Sequence, residues 1–341
     1  MTEILSVENL ALGFRTEGGL ARVLDMVNLS VRPGEIVGLV GESGCGKTTL
    51  ARAILGTLPP AITRISHGRI RLAGADMLAG PGEATAGAVR GRAVTFIPQD
   101  PFASFNPLFR IGTQIMDLMR WKSPRRKPGA RTGLYSPRRR RADRAAVIAM
   151  LDAVQLPQPE RLLRKYPHEL SGGQRQRVMI AMALLPGPRL IIADEPTTAL
   201  DVTVQAQILA LLRRLATERG VAVLFTTHDL GAAWEICDRV AVMYAGQTAE
   251  IAPRESFFGA PRHPYTRLLL ESLPQEGRNP VGIPGTVPSP RAAPPGCRFH
   301  PRCPRASEHC RSARPALAGG EGHVTACHHP VMAPLEAVAD A

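Results

Sequence analysis

A glycine-rich loop constrains the fold of this chain more than any other feature of its sequence. Gly41-Glu42-Ser43-Gly44-Cys45-Gly46-Lys47-Thr48 follows the apolar run Glu35–Val40 and precedes a helical pattern from Lys47 to about Leu55. The apolar run is rich in β-branched residues and is typical of a buried central strand. A strand, a loop of this spacing and a helix form the context of a phosphate-binding loop, in which backbone N–H groups surround phosphate oxygens. We therefore expect an α/β fold that binds a nucleotide.

The residues of this loop differ in the chemistry that they supply. Lys47 would place a positive charge on the terminal phosphates, and the Thr48 hydroxyl would ligate Mg²⁺. Cys45 lies near a helix N-terminus and Lys47, and both lower a thiol pKa, so a reactive thiolate is expected there. The predicted nucleotide-binding residues of this segment are Gly41, Glu42, Ser43, Gly44, Cys45, Gly46, Lys47, Thr48 and Thr49.

Two later apolar runs also end in polar side chains. Leu190–Ala193 is followed by Asp194 and Glu195, and Val221–Thr226 is soon followed by His228. In α/β sheets, ligands bind at the carboxyl ends of the strands. Asp194 therefore suits Mg²⁺, Glu195 suits the general base that polarises the attacking water, and His228 suits a hydrogen bond to a γ-phosphate. Alone, the acids could be a solvated helix start and the histidine structural; the loop upstream favours the functional interpretation.

The remaining pattern indicates how these segments are arranged. Alternating apolar residues at Leu5–Leu10 and Val23–Val31 predict antiparallel strands, and residues 102–185 are mostly helical. The alternation of strands and helices elsewhere predicts a mainly parallel sheet with helices on both faces. Ser171-Gly172-Gly173-Gln174 is a turn that enters a helix and could bind phosphate there, although alone it would be only a capping turn.

In their order along the chain, these motifs resemble the nucleotide-binding subunits of ABC transporters. The order is the phosphate loop, Gln99, Ser171–Gln174, Asp194-Glu195, Ala199-Leu200-Asp201 and His228. The resemblance implies that Gln99 senses the γ-phosphate, helps to hold Mg²⁺ with Thr48 and Asp194, and contacts the permease. It further implies that Ser171, Gly172, Gly173 and Gln174 bind the ATP of an opposite subunit. Asp201 would link the two sites, His228 would be the switch histidine, and Phe14 would stack on adenine.

The chain resembles the dipeptide and oligopeptide importers, a subfamily that includes nickel uptake systems, more closely than other members of this family. The passages that carry this likeness are Gln99–Pro107, Tyr166–Glu169, Thr198–Gln205 and His263-Pro264-Tyr265-Thr266. The last passage is expected to lie outside the ATP chemistry.

The resemblance implies an ABC-type nucleotide-binding domain over residues 1–262, with a mixed sheet core, an antiparallel β subdomain and an α-helical subdomain over about 102–185. Residues 263–341 would form a small cysteine-containing extension. The expected function is ATP hydrolysis that energises import of peptides or related solutes from the cytoplasmic face of the membrane. The expected partners are a second ATPase subunit, identical or different, two permease subunits and, indirectly, a solute-binding protein. The alternative is a soluble ATPase acting on nucleic acid or ribosomes, but the chain lacks long coiled coils and a second cassette.

The net charge of +13 is concentrated in one segment. Residues 120–144 contain eleven Lys or Arg and a single acid, Asp143. A nucleic-acid surface would spread its charge over a face or groove, so we read this insertion as a solvated loop, with anionic lipid as the alternative and no nucleic acid expected. The longest apolar stretch, Val178–Leu185, is too short to cross a bilayer.

Four of the six cysteines crowd into the C-terminal segment, at Cys297, Cys303, Cys310 and Cys327. Four thiolates suit an iron–sulfur cluster or Zn²⁺, although zinc ligands usually come in closer pairs, and free thiols are the third alternative. The resembling importers carry the same cysteine pattern, which implies a [4Fe–4S] cluster before zinc.

Overall fold

The computed structural model of the protein describes residues 3–78, 89–126, 135–198, 200–274, 282–320 and 322–335. Its strands are, in chain order, β1 (Leu5–Thr16), β2 (Gly19–Val31), β3 (Ile36–Val40), β4 (Thr63–Leu72), β5 (Ala75–Asp76), β6 (Val94–Ile97), β7 (Leu190–Asp194), β8 (Ala222–Thr226), β9 (Arg239–Tyr244), β10 (Gln247–Pro253), β11 (Ala318–Gly320) and β12 (His323–Thr325). Its α-helices are α1 (Lys47–Leu55), α2 (Pro101–Ser104), α3 (Ile111–Lys122), α4 (Pro137–Ala153), α5 (Pro159–Leu162), α6 (Gly172–Leu184), α7 (Val202–Arg219), α8 (Leu230–Ile236), α9 (Arg254–Gly259), α10 (Pro264–Glu271) and α11 (Glu308–Ser312).

The chain folds into two compact units. The loop unit, which contains the glycine-rich loop, comprises Leu5–Val31, Ile36–Arg71 and Phe225–Ala341. The helical unit comprises Met1–Ile4, Arg32–Glu35 and Leu72–Leu224. Most of the first 71 residues and all residues from Phe225 onward therefore belong to the loop unit, and Leu72–Leu224 forms most of the helical unit.

In the loop unit, five strands lie side by side in the order β11, β12, β10, β9 and β3. β3 is parallel to β9, with Val40 opposite Val242, whereas β9, β10, β12 and β11 pair antiparallel. Every residue of β3 is buried, as expected for an apolar, β-branched strand with neighbours on its faces. The strand that leads into the glycine-rich loop thus has a fixed position in the interior.

A second sheet of the loop unit contains β2, β1 and β4 as neighbours. β1 and β2 form a long antiparallel hairpin in which Leu5 lies opposite Val31 and Phe14 opposite Ala21. This hairpin confirms the antiparallel strands predicted from the alternating apolar residues at the start of the chain.

In the helical unit, β6 and β7 are parallel neighbours, with Ile97 opposite Ala193. Because parallel strands in register end at the same edge of a sheet, the residues that follow β6 and β7 are brought together. Helices α3, α4 and α6 bury apolar residues at helical spacing, among them Ile115, Met119, Val147, Leu151 and Val178.

The two ends of the basic segment are helical, whereas residues 123–126 and 135–136 between them are not. Arg120 and Lys122 lie in the last turn of α3, and the arginines from 138 onward lie in the first turns of α4. The fully buried Asp143 carboxylate accepts hydrogen bonds from Ser123 Oγ at 2.7 Å and Tyr135 Oη at 3.0 Å. The single acid of the segment therefore connects the ends of the two helices, while residues 127–134 lie outside the described residues.

Among the described residues, no helix is both long enough and apolar enough to cross a membrane.

Candidate functional site

The glycine-rich loop of the loop unit has the backbone conformation that its sequence requires. Gly41, Gly44 and Gly46 have φ values of +148°, +77° and +109°, a region that other residues rarely adopt. Gly46 is the N-cap of α1, and no side chain caps this helix N-terminus. The first turn of α1 therefore presents backbone N–H groups and the positive end of the helix dipole to an anion.

Lys47 is held inside this loop. Its side chain is buried, and Nζ donates hydrogen bonds to the carbonyl oxygens of Gly41 at 2.7 Å and Glu42 at 3.4 Å. Ser43 and Gly44 are exposed at the tip of the loop, and Thr48 and Thr49 are partly exposed in the first turn of α1. The loop thus offers one buried ammonium group, three hydroxyl groups and a helix N-terminus to a phosphate chain.

Cys45 does not behave as expected from its neighbours in the sequence. Its side chain is 1% exposed, and burial raises the thiol pKa above its usual value despite the opposing charge of Lys47, whose Nζ lies 4.0 Å from Sγ. The prediction of a reactive thiolate is therefore wrong, because the loss of hydration outweighs the nearby positive charge. Cys45 fits the loop as a small buried side chain.

The histidine-bearing segment belongs to the loop unit as well. Thr227 donates its backbone N–H to the Leu39 carbonyl at 3.2 Å, so the residues after β8 lie beside β3. His228 follows as an exposed residue, and Asp229 then caps α8 through a hydrogen bond from the Ala232 N–H. The strand end and the helix cap together fix the backbone on both sides of His228.

Phe14, the predicted adenine-stacking residue, is a partly exposed residue of β1 in the same unit.

In the helical unit, Gln99 and Glu195 contact each other directly. Gln99 Nε2 donates a hydrogen bond to Glu195 Oε2 at 3.1 Å, and Thr198 Oγ1 lies 3.3 Å from the same oxygen. Asp194, the last residue of β7, is 4% exposed. Glu195 has a φ of +46°, a left-handed conformation that is costly for a residue with a side chain. The chain therefore turns sharply at the predicted base and aims its carboxylate at the predicted γ-phosphate sensor.

Ser171 and Gln174 form a capping box at the start of α6. Ser171 Oγ accepts a hydrogen bond from the Gln174 N–H, and Gln174 Oε1 accepts one from the Ser171 N–H, each at 3.2 Å. A Cβ added to Gly173 would lie 3.0 Å from Val204 Cγ1, so the turn needs glycine where it meets α7. The capping turn is present, and it leaves the Ser171 hydroxyl hydrogen available to a phosphate oxygen.

Asp201 caps α7, because its carboxylate accepts a hydrogen bond from the Val204 N–H at 2.9 Å. Ala199, in the predicted linking segment, lies outside the described residues. One contact of this unit was not predicted: the Arg175 guanidinium stacks on the Phe102 ring, 3.4 Å from its centroid. This stacking ties the helix after Gln174 to the segment after Gln99.

Two residues late in the loop unit hold the glycine-rich loop, and sequence analysis missed both. Tyr265 Oη accepts a hydrogen bond from the Glu42 N–H at 3.0 Å. The Arg302 guanidinium makes a bidentate ion pair with the Glu42 carboxylate, with N–O distances of 2.8 and 3.1 Å. Tyr265, from the passage expected to lie outside the ATP chemistry, therefore contacts the backbone of the glycine-rich loop directly. No local pattern could have revealed these contacts, which join residues 223 and 260 positions apart.

The conformation of Tyr265 depends on His263. Burial lowers the pKa of His263 to about 4, so its imidazole is neutral near pH 7. Its Nδ1 accepts a hydrogen bond from the Tyr265 N–H at 3.0 Å and thereby caps α10. The sequence His-Pro-Tyr thus builds a helix start that delivers a phenol to Glu42.

The four C-terminal cysteines line one small cavity, together with His300, His328 and His329. All four are free thiols, and burial raises the pKa values of Cys297, Cys303 and Cys327, the last to about 11. The donor chemistry suits a soft metal centre. However, within the described residues no group of three or more His, Cys, Asp or Glu side chains is gathered closely enough to hold a metal ion.

Comparison with known proteins identifies the family. Residues 24–198 match the ABC transporter family, and residues 249–310 match the C-terminal region of oligopeptide/dipeptide transporters. The chain is 40% identical over 332 residues to the dipeptide transport ATP-binding protein DppD of Bacillus subtilis. The alignment covers 96% of this chain and 95% of that protein. It is 42% identical over 331 residues to the oligopeptide transport ATP-binding protein OppD of Salmonella typhimurium. This alignment covers 96% of this chain and 94% of that protein.

The fold is similar to that of the ATP-binding cassette MJ0796, solved as a dimer in a post-hydrolysis state bound to ADP and Pi. The TM-score is 0.60 at 27% identity, and the likeness covers 73% of this chain and 98% of that one. It confirms the expected ABC-type fold, and the enzyme class that follows is an ATP hydrolase that uses ATP and Mg²⁺. This chain therefore belongs to the ATP-binding subunits of ABC transporters and carries the C-terminal region of their oligopeptide/dipeptide branch.

Proposed function

We propose that this ATPase energises the import of peptides or related small solutes. The observation that carries the proposal is the match of residues 249–310 to a region described from oligopeptide/dipeptide transporters, because that region lies apart from the ATP-binding motifs shared by the whole family. The names of the relatives, dipeptide and oligopeptide transport ATP-binding proteins, support the same substrate class.

In the proposed site, residues 41–49 bind the phosphates and Phe14 stacks on the adenine. Lys47 neutralises charge on the terminal phosphates, which is the main catalytic need in phosphoryl transfer. The hard oxygens of Thr48, Gln99 and the buried Asp194 carboxylate would hold Mg²⁺. The metal would offset the negative charge that the phosphates and Asp194 share.

Glu195 acts as the general base in this proposal. Its carboxylate accepts the proton of the attacking water while Gln99 and Thr198 hold its Oε2 in place. His228 orients the water through a hydrogen bond to the γ-phosphate. Ser171, Gly172, Gly173 and Gln174 bind the γ-phosphate of an ATP held by a second subunit, at the N-terminus of α6. Asp201, the cap of α7, links the two sites.

The assembly that we propose contains two ATPase subunits, identical or different, and two integral-membrane permease subunits. A solute-binding protein would act through the permease, and this subunit would lie peripherally at the cytoplasmic face of the membrane. The dimer solved for MJ0796 supports the subunit arrangement. The division into an ATPase domain over residues 1–262 and an extension over 263–341, with a basic insertion at about 120–144, stays a prediction.

The substrate class can be tested in proteoliposomes that contain the permease and second ATPase subunit co-purified with this chain. Adding the solute-binding protein with a mixture of short peptides should stimulate ATP hydrolysis severalfold and cause peptide uptake. A complex carrying Lys47→Ala is the control and should show neither effect. Stimulation by ribosomes or RNA, with no response to peptides, would instead support the alternative of a soluble ATPase acting on nucleic acid.

We further propose that the cysteine-lined cavity holds a [4Fe–4S] cluster, with Zn²⁺ as the alternative. The support is that four thiols line one cavity and that burial raises the pKa values of Cys297, Cys303 and Cys327, because a cation would offset the cost of ionising them. Protein purified without oxygen should contain about four irons and absorb in the visible range, and replacement of Cys303 by Ala should remove both. About one zinc and no iron would indicate the alternative, and metal-free protein would contradict both.

A further inference from the structure

Arg302 is fully committed to hydrogen bonds inside the loop unit. Its side chain is 3% exposed, and it contacts both carboxylate oxygens of Glu42. The remaining donors reach the Tyr244 hydroxyl at 3.3 Å, the Pro284 carbonyl at 2.7 Å and the Ile283 carbonyl at 3.1 Å. A guanidinium group has five N–H donors in a planar fork, and here each of them has an acceptor. Its position is therefore defined by all of its donors at once.

Glu42 is the acidic residue of a loop that has to bind anions. It follows Gly41 directly, and its carbonyl oxygen accepts a hydrogen bond from Lys47 Nζ. A free carboxylate here would repel a phosphate chain and compete for the ammonium group of Lys47. The ion pair with Arg302 offsets this charge and fixes the direction of the side chain.

The same stretch of chain fixes the backbone of Glu42. The Tyr265 hydroxyl accepts the Glu42 N–H, and the ring of Tyr265 packs against that of Tyr244, with 4.6 Å between the ring centroids. Tyr244 in turn accepts a hydrogen bond from Arg302. One residue of the phosphate-binding loop is thus held by its backbone and by its side chain, from two separate segments that come together at Tyr244.

We propose that Arg302 is a positioning residue of the ATP site, which neutralises and directs the Glu42 carboxylate so that the glycine-rich loop accepts the phosphates of ATP. This inference rests on the proposed role of residues 41–49 in ATP binding. Arg302 ends the short 3-10 turn His300–Arg302, between Cys297 and Cys303, so the C-terminal extension contributes directly to the loop.

The test is the affinity of the full chain for a fluorescent ATP analogue, in the wild type and in the variants Arg302→Met, Arg302→Lys, Glu42→Gln and the double variant Glu42→Gln/Arg302→Met. Arg302→Met should weaken binding by about tenfold, because it leaves a carboxylate without its partner beside the phosphates. Arg302→Lys keeps the positive charge but loses the planar, bidentate guanidinium group. Its affinity for the analogue should therefore lie between those of Arg302→Met and the wild type. The double variant should bind within about threefold of Glu42→Gln, because the unpaired carboxylate is then absent.

Arg311→Met is the matched control, since Arg311 is an exposed arginine of the same extension and should bind the analogue like the wild type. If Arg302 served only to stabilise the fold, the double variant would be as weak as Arg302→Met, and that result would overturn the proposal. Wild-type affinity in Arg302→Met would also overturn it. A wild-type chain that fails to bind the analogue would contradict the proposed role of residues 41–49 instead. If Arg302→Met does not fold, as judged by circular dichroism, Arg302→Lys takes its place. The double variant Glu42→Gln/Arg302→Lys should then bind the analogue like Glu42→Gln, and an affinity as weak as that of Arg302→Lys would overturn the proposal.

Discussion

Replacing Glu195 by Gln is expected to lower ATP turnover by about 10²- to 10⁴-fold while ATP still binds. The amide removes the basic oxygen that would accept the proton of water, but it keeps the size of the side chain. Its carbonyl oxygen can still accept the hydrogen bond that Gln99 Nε2 donates to Glu195 at 3.1 Å. Glutamine and glutamate have closely similar backbone preferences, so the left-handed φ of +46° at position 195 adds no new strain in the variant. The loss should therefore report chemistry and not folding.

This prediction is tested by measuring phosphate release and nucleotide affinity separately. Glu195→Gln should retain ATP at stoichiometric amounts and accumulate as a dimer with ATP at the subunit interface, which gel filtration would detect. Glu218→Gln, at an exposed position of α7, is the matched control and should hydrolyse ATP like the wild type. Normal turnover in Glu195→Gln would show that another group takes the proton.

Replacing Glu250 by Ala is expected to lower the free energy of unfolding by about 3–5 kcal/mol. The Glu250 carboxylate is fully buried in β10 and accepts three hydrogen bonds, from the Arg262 N–H at 2.7 Å, the His263 N–H at 2.9 Å and His323 Nε2 at 2.6 Å. Burial by itself would raise the pKa of the Glu250 carboxyl, but the hydrogen bonds outweigh this effect and lower the pKa below its usual value. The group is therefore charged near pH 7. Alanine would leave two backbone donors and a histidine buried without their acceptor.

Urea denaturation followed by circular dichroism measures this change. Glu271→Ala is the control, because Glu271 is an exposed residue whose ion pair with Arg267 should contribute no more than about 1 kcal/mol. A loss below about 1 kcal/mol for Glu250→Ala would mean that water or another donor arrangement replaces the carboxylate. Removal of the Glu250 carboxylate should also disturb the ATP site, since this carboxylate orients the start of the segment that carries Tyr265.

Features set by neighbouring residues were predicted well from the sequence. The apolar run before the glycine-rich loop became β3, and the helical pattern after it became α1, with its first residue at Lys47 as predicted. The run Leu190–Ala193 became β7 and delivers Asp194 to the end of the strand. In each case, side-chain periodicity and the backbone freedom of glycine act within a few residues, so the local sequence is enough to predict the strand or helix.

Features that depend on distant residues were not predicted. The charge of Lys47 and the helix N-terminus suggested a lowered thiol pKa at Cys45, but the burial that raises it comes from packing that no local pattern reveals. The basic insertion was expected to be a loop, but its ends belong to α3 and α4, and the Asp143 carboxylate accepts hydrogen bonds from Ser123 and Tyr135, the latter eight residues away. The contacts of Tyr265 and Arg302 with Glu42 likewise arise only when distant segments pack together.

The composition of the loop unit has a consequence for the synthesis of the protein. Because the ribosome makes the N-terminal part first, Gly41–Thr48 leave it long before β9, β10 and β12, which belong to the same compact unit and follow residue 238. The nascent chain then carries an apolar β3 without its parallel neighbour β9 while the whole of Leu72–Leu224 is translated. Chaperone protection of nascent chains stalled before residue 239 should therefore exceed that of chains stalled after Thr325.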